Sequence, residues 1–289
     1  MSVATMGDSP SDGAAVDFYR RTLQLLQERG VRHLVGGAFA LAHYTGIERQ
    51  TKDIDLFITR ADFELVGRAL ADRGYRTELT FPHWLGKIHC GPYFVDLVFS
   101  SANGVARVDE EWFTHAVRGE ALGLPVWVCP VEETIWSKSF IMERERYDGA
   151  DVAHLLHARG TTLDWRRLLQ RFDRHWRVLL NHLVMYAYIY PAERDVVPAW
   201  LMDELLARIR DEMRTAPPRE RVCGGTLVSR EQYLVDVRQW GFADARLEPR
   251  GSLTAEEIRI WTDAIYAERP DAAAPGAAAA QVRAPPSPH

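Results

Sequence analysis

The sequence predicts an α/β protein: an N-terminal domain built on a small mixed sheet, joined to an all-helical C-terminal domain. Three observations carry that reading. A short apolar strand at Leu34 empties into Gly36-Gly37 and a compact helix of small residues, after which a second strand follows. Three more strand-like runs between Tyr75 and Phe99 are separated by the turn formers Pro82 and Gly91-Pro92. Beyond Pro130 the texture changes, and almost every segment repeats apolar residues at helical spacing. The chain divides accordingly into 1–13, a disordered N-terminus; 14–130, the α/β domain; 131–269, the helical domain; and 270–289, a disordered Ala/Pro-rich tail.

Composition narrows the class. At 289 residues, with 47% hydrophobic and 26% charged, the chain has an ordinary globular profile. Its net charge of -5 argues against a protein that lives by wrapping nucleic acid, which leaves nucleic acid as a substrate only. Cys90, Cys129 and Cys223 show no C-x-x-C spacing and read as small buried side chains in a reducing compartment. The first residues lack the basic and apolar regions of a signal peptide, and no apolar run approaches about 18 residues. A cytoplasmic protein without membrane contact is expected.

Residues 1–13 are rich in Ser, Asp, Gly and Pro, the composition of a mobile terminus. Val16, Tyr19, Leu23 and Leu26 then fall at helical spacing, and Gly30 sits where a left-handed residue ends a helix. The stretch Leu34 to Ile58 supplies strand, Gly-Gly, helix and a second strand carrying Asp53 and Asp55. Phe63, Val66 and Leu70 mark the next helix, closed by Gly74. Strands are expected at Tyr75 to Phe81, Trp84 to Cys90 and Phe94 to Phe99, antiparallel because their close spacing implies hairpins. A helix is expected around Glu110 to Ala116, and PVWVCP makes a last short strand.

In the second half, a helix from Glu132 to Arg146 starts just after Pro130 with two acids in its first turn. Asp151 to Ala158 continues to Gly160, and Asp164 opens one long amphipathic stretch reaching Pro191. Within it NHLVMYAYIY is apolar almost all round, as for a buried spine. Val197 to Arg214 reads as another helix. Ser229 with Gln232, and Thr254 with Glu257, form capping-box patterns before two more. After Arg269 the tail lacks the apolar surface to offset its ordering entropy.

The chemistry concentrates in Leu34 to Ile58. Period-two geometry puts Asp53 and Asp55 on one face of their strand. Adjacent carboxylates repel, and hold their charge cheaply only with a cation between them. Asp96 stands alone among apolar neighbours in FVDLVF, where a carboxylate is costly to bury unless paired or liganded. At a strand-to-helix junction, Gly36 and Gly37 let backbone N–H groups approach a phosphate, helped by the helix dipole. A lone D-x-D is ordinarily a solvated face and a lone Gly-Gly ordinarily a turn; their joint occurrence with Arg49, Thr51 and Asp96 reverses those odds. The expectation is a phosphate site holding two magnesium ions, with manganese as the substitute. Lys87 and His89 alternate on the strand beside Asp96 and are read as an exposed hairpin face rather than a cleft wall. Gly224-Gly225 is read as a turn. No zinc spacing, G-x-S-x-G elbow or P-loop occurs.

These residues resemble a known family. Gly-Gly followed by a helix, then R-x-T-x-D-I-D over Arg49, Thr51, Asp53, Ile54 and Asp55, then an isolated Asp on a later strand, is similar to the nucleotidyltransferase superfamily related to DNA polymerase beta, and most to its minimal bacterial group with the AbiEii and MenT-type toxins. Glu132, Lys138, Arg146, Asp148 and Asp151 continue the likeness, which covers roughly Gly30 to Leu156. The resemblance implies that 14–130 is a nucleotidyltransferase catalytic domain, that Asp53 and Asp55 bind both metals, and that Asp96 holds the catalytic metal while helping to deprotonate the acceptor hydroxyl. It implies that Arg49, Lys52 and Lys138 meet the triphosphate, with Gly36, Gly37 and Thr51 completing the nucleotide site. The serine that many members carry after the Gly pair is replaced by Ala38, so only the backbone contact carries over.

The implied activity is transfer of a nucleoside monophosphate from an NTP to a hydroxyl of a small molecule or protein, with release of pyrophosphate. Two alternatives stand beside it: a toxin of a toxin–antitoxin pair, modifying RNA or protein and held by an antitoxin-like partner, and a catalytically silent nucleotide-binding module.

Overall fold

A computed structural model describes residues 10–268 except Gln50 and Lys52. The expected tail at 270–289 and the first nine residues of the expected disordered N-terminus lie outside these, while Pro10 already begins a helix. That helix, α1 (Pro10–Glu28), is followed by β1 (Leu34–Val35), α2 (Gly37–Thr45), β2 (Asp55–Phe57), α3 (Phe63–Leu70), β3 (Arg76–Phe81), β4 (Leu85–Cys90), β5 (Tyr93–Val98), α4 (Glu110–Thr114), β6 (Val117–Ala121) and β7 (Leu124–Val128). The remainder comprises α5 (Val131–Lys138), α6 (Gly149–Arg159), α7 (Trp165–Phe172), α8 (Trp176–Ile189), α9 (Ala199–Met213), β8 (Val222–Cys223), α10 (Leu234–Arg238), β9 (Ala243–Asp244) and α11 (Ala255–Glu268).

Seven strands form one mixed sheet in the order β3-β4-β5-β2-β1-β7-β6. The β3-β4-β5 meander is antiparallel, β5 runs parallel to β2, β2 antiparallel to β1, β1 parallel to β7, and β7 antiparallel to β6. Strand β6 is absent from the sequence reading, because its five residues VRGEA include a central glycine and a single β-branched residue, a weak signal held in place by pairing with β7.

Alternation along the strands divides the sheet into two faces. Val95, Leu97, Ile88 and Leu56 are fully buried on one of them, where α1 and α3 pack. Phe18 of α1 stacks on Tyr93 with ring centroids 5.7 Å apart. A Cβ on Gly86 would lie 2.2 Å from the Phe63 ring of α3, so only glycine lets that helix approach so closely. Each such apolar side chain contributes roughly 2 kcal/mol on burial. Lys87, Asp96 and Asp55 are left on the other face.

Helices α5 to α9 continue the same core, since Ile135, Leu155, Leu168, Phe172, Leu179, Tyr186, Leu201 and Leu205 are buried in one cluster with the sheet residues. Three expectations change here. The helix after Pro130 ends at Lys138, because residues 139–148 turn back on themselves: Met142 bridges Tyr147, and the Asp148 N–H donates to the Ile141 carbonyl at 3.0 Å. The long stretch from Asp164 breaks into α7 and α8 at Asp173, whose φ is +41°. Its apolar positions, Trp165, Leu168, Phe172, Trp176, Leu179, Leu183 and Tyr186, keep helical spacing straight across the break, so periodicity alone does not reveal it. Helix α8 is not buried all round, since Val184, Met185, Tyr188 and Ile189 are exposed.

The C-terminal part is helical except for a two-stranded parallel ribbon, β8 with β9, beside a buried Asp244–Arg246 pair 2.7 Å long. Gly224-Gly225 opens a 3-10 turn, in keeping with its reading as a turn. The Thr254 and Glu257 capping box is present: the Thr254 N–H donates to Glu257 Oε2 at 2.8 Å and the Glu257 N–H to Thr254 Oγ1 at 3.2 Å. Among the described residues no helix is long and apolar enough to cross a membrane.

The two acids that open α5 do more than complement its dipole. Glu133 is fully buried and its Oε1 accepts from Arg171 Nε at 2.8 Å and from Arg167 Nη1, while Glu132 pairs with Arg167 and accepts the Asp164 N–H at 2.8 Å. Arg171 also makes a two-pronged contact with Asp109 at 2.8 and 2.9 Å. These pairs clamp α5 to α7 and to the start of α4. Glu133→Ala removes one of the two carboxylate partners of each of two largely buried guanidinium groups and is expected to cost about 2–4 kcal/mol, read as a loss in the chemical-denaturation midpoint; Glu64→Gln, at an exposed position of α3, is the control.

Candidate active site

Four side chains form one row across the open face. Strands β3, β4, β5 and β2 pair in a register that sets Glu78 opposite Lys87, Lys87 opposite Asp96, and Asp96 opposite Asp55. Asp96 therefore lies on the same side of the sheet as Asp55, one strand away. Asp53 is not on the strand as expected but on a bend just before it, because β2 is only three residues long. Thr51 holds that bend: its Oγ1 lies 2.8 Å from Asp53 Oδ1 and 2.9 Å from the Asp53 carbonyl. The charges of Asp53 and Asp96 are both felt at Tyr19 of α1, whose phenol is raised first by burial and then by those two acids.

The row's electrostatics follow from crowding. Burial, then the neighbouring charges of Asp53 and Asp96, push the Asp55 carboxyl up to about 7. Asp96 is also raised, by burial and by Asp53, while Lys87 pulls it down. Lys87 Nζ donates to Asp96 Oδ1 at 2.8 Å and sits 3.8 Å from the centre of the Phe94 ring. The reading of Lys87 as exposed hairpin face is thus corrected: its side chain closes on the acid row. His89 follows on the same face, with Nε2 3.2 Å from Glu78 Oε2.

Gly36 and Gly37 abut this row. The Gly36 N–H donates to the Asp55 carbonyl at 3.0 Å, which docks β1 on β2. Gly37, with φ +54°, begins α2, and a Cβ there would fall 1.8 Å from Asp55 Oδ2. The Gly pair thereby makes room for the Asp55 carboxylate itself, and among the described residues no N-cap side chain bonds the first-turn N–H groups of α2.

A second charged cluster borders the acids. Lys138 at the end of α5 donates to Asp148 Oδ2 at 2.9 Å and to Asp151 Oδ2 at 2.8 Å. Arg49 Nη2 reaches Asp151 Oδ1 at 2.6 Å, and Arg146 grips Asp148 at 2.9 and 3.0 Å. Asp148, which burial alone would push up, is held below the usual carboxylate range by Arg146 and Lys138. Lys138 and Arg146 lower the Asp55 carboxyl across the gap, which places this cluster beside the row. Arg49 and Lys138, far apart in sequence, are thus joined through Asp151, a buried ion-pair partner in the first turn of α6. Lys52 lies outside the described residues.

Arg146, Asp148, Asp151 and Lys87 are the neighbours that the expected site residues need. Lys87 has a signal in the sequence: the two-residue turn Gly91-Pro92 between Cys90 and Tyr93 fixes the pairing that puts it opposite Asp96.

The donor set suits a hard divalent cation: three carboxylates without histidine or thiolate, two of them pushed up by burial and then by neighbouring carboxylates, beside a bend without side chains. The set is not drawn closed around an ion. Among the described residues no three His, Cys, Asp or Glu side chains converge closely enough to hold one, and the Lys87 ammonium sits on Asp96 in its place.

No family model matches the chain, and no curated protein matches it. Among solved structures, a solution structure of the antibiotic-resistance factor ANT(2'')-Ia is 18% identical, with 59% of this chain and 97% of that one covered at a TM-score of 0.42. The lincosamide antibiotic adenylyltransferase LnuA with lincomycin bound is 17% identical over 48% of this chain and 94% of its own, with a TM-score of 0.34. ANT(2'')-Ia in complex with adenylyl-2''-tobramycin is 17% identical over 61% and 98%, with a TM-score of 0.35. Overlaps of this size fix no residue's role in this chain.

Two outcomes test the geometry. A carboxyl raised in the folded state destabilises the fold as pH climbs from its unfolded value near 4 through its folded value near 7. Asp55→Asn is therefore expected to gain on the wild type across that window, by on the order of 2–4 kcal/mol above pH 7 and little at pH 4, measured by denaturation at a series of pH values. Gly37→Ala is expected to cost about 2 kcal/mol or more, from the positive φ and the collision with Asp55. Its paired variant Gly37→Ala with Asp55→Gly should recover part of the loss in melting temperature.

Proposed function

We propose that the chain is a metal-dependent nucleotidyltransferase that moves a nucleoside monophosphate from an NTP to a hydroxyl of a small molecule or protein and releases pyrophosphate. The observation that supports this most directly is the cross-strand placement of Asp96 beside Asp55 on one open face, with Asp53 at its edge and the Gly pair against it. Such a concentration of carboxylates is disfavoured in an apo protein and is favoured once cationic charge and phosphate oxygens arrive.

In this reading Asp53, Asp55 and Asp96 hold divalent cations, magnesium or manganese, which supply charge neutralisation at the reacting phosphate. The remaining work is done by the chain. The acceptor oxygen forms a bond to the α-phosphorus as the bond to the β-phosphate oxygen breaks, pyrophosphate leaves with that electron pair, and the hydroxyl proton passes to Asp96. Lys87 must release Asp96 for that role, and its ammonium remains within the row to balance charge. Thr51 orients Asp53. The N–H groups from Gly37 onward, with Gly36 fixing the bend, face the phosphates. Arg49 and Lys138, positioned through Asp151, complete the nucleotide site, to which the sequence resemblance adds Lys52.

The mild negative charge of the chain favours a small molecule or protein over RNA as acceptor. The three free cysteines suit a reducing, cytoplasmic setting. The test is incubation with each α-labelled NTP, magnesium and a cell extract, followed by size fractionation. Label is expected in an acceptor fraction with one or more NTPs, absent when γ-labelled NTP is used, and reduced about 10²-fold or more by Asp96→Asn or Asp53→Asn. Transfer at the wild-type level by either variant, or no transfer with any NTP, removes this assignment.

A further inference from the structure

Trp136 and Lys138 lie two residues apart on α5 and so point to opposite sides of the helix. Lys138 meets the charged cluster beside the acid row. Trp136 instead lines a cavity of about 370 Å³, walled by the 103–107 loop, the junction of α7 with α8, and the C-terminal part around residues 227 and 251–252. That volume suits a small molecule. No residue of the acid row lines it.

Three independent features of the lining bear on what it holds. The Trp136 side chain is 7% exposed, and its indole Nε1 is buried without a hydrogen-bond partner among the described residues. Trp136 forms a closed wall of the cavity, with the Arg171 guanidinium, also in the lining, 5.3 Å from its ring centre, so its indole resonance reports on what the cavity holds. Arg107 and Arg174 also line the cavity and have no carboxylate partner among the described residues: Arg107 donates to the Ser252 carbonyl at 3.1 Å and Arg174 to His175 Nε2 at 3.3 Å. Arg171, by contrast, is already matched by Glu133 and Asp109. Asp173 is the single acid of the lining, and it is the residue held at φ +41°, a strained conformation of the kind that gathers at ligand sites. The balance is an excess of donors and of positive charge. His175 adds no charge at neutral pH, since burial and then Arg174 lower it to about 4.

We infer that this cavity is a second ligand site, separate from the acid row, which binds a small organic oxyanion: a molecule whose carboxylate or phosphate pairs with Arg107 and Arg174 beside the Trp136 wall. Both guanidinium groups present fork-shaped donors matched to such groups. The inference does not depend on the activity proposed for the acid row, and either can fail alone.

The test follows the Trp136 indole N–H directly. The full chain is labelled with nitrogen-15, and the resonance among its nine tryptophan indoles that disappears in Trp136→Phe is assigned to Trp136. Citrate, ribose 5-phosphate and inorganic phosphate are then titrated separately at constant ionic strength in the presence of EDTA. A saturable shift of that resonance with citrate or ribose 5-phosphate is expected, with the midpoint raised at least tenfold in the double variant Arg107→Gln with Arg174→Gln and unchanged in Asp55→Asn. Citrate alone acting identifies a carboxylate ligand, ribose 5-phosphate alone a phosphate ester, and both acting a general oxyanion site. The site is overturned if the resonance does not move with any of the three, if sodium chloride alone moves it equally, or if the double variant titrates like the wild type.

Discussion

The repulsion between carboxylates set side by side by strand register governs this structure. Asp55 and Asp96 are opposed on neighbouring parallel strands, and Asp53 stands at the mouth of the same face. Charge placed so closely in a partly dry setting must be neutralised, and each nearby feature answers that need. Lys87 reaches across from β4, and Lys138 and Arg146 bring positive charge from the α5 region. Asp55 meets the remainder by holding its proton more tightly. Among the described residues, the five carboxylates 53, 55, 96, 148 and 151 face four cationic groups, Arg49, Lys87, Lys138 and Arg146, a difference that the proton on Asp55 offsets.

The helices matter to this site mainly as carriers. The Glu132 and Glu133 clamps to Arg167 and Arg171 fix α5 against α7, so the end of α5 delivers Lys138 to a defined place. The turn after α5 then folds back to bring Arg146 and Asp148 to the same lysine. A continuous helix through Arg146 would have carried both groups away along its axis, about 1.5 Å per residue. The break in the helix is therefore part of how the charged cluster is assembled.

Much of the site could be read in the chain before its coordinates were known. The Gly pair, Asp53, Asp55 and Asp96 stand out because each is anomalous for its local setting, and hairpin spacing places their strands in one sheet. What could not be read was what depends on distant partners. Strand β6 carries only a weak pattern around Gly119, α7 and α8 share one unbroken periodicity across Asp173, and Asp151 looks like an ordinary first-turn acid until Arg49 and Lys138 meet on it. Lys87 lies between these cases: its alternation with His89 is legible in the chain, while its closure on Asp96 follows only from the register that the Gly91-Pro92 turn imposes.

That register rests on the two-residue connection Gly91-Pro92, with Gly91 at φ +60°. Gaining or losing one residue there would slide β4 past β5 by a single step and turn Lys87 through the sheet, leaving an aliphatic or glycine neighbour beside Asp96. The counter-charge of the site is thus encoded by the length of a hairpin tip as much as by the identity of the lysine. Evolutionary change in that tip would retune the acidity of the row without touching any of its members.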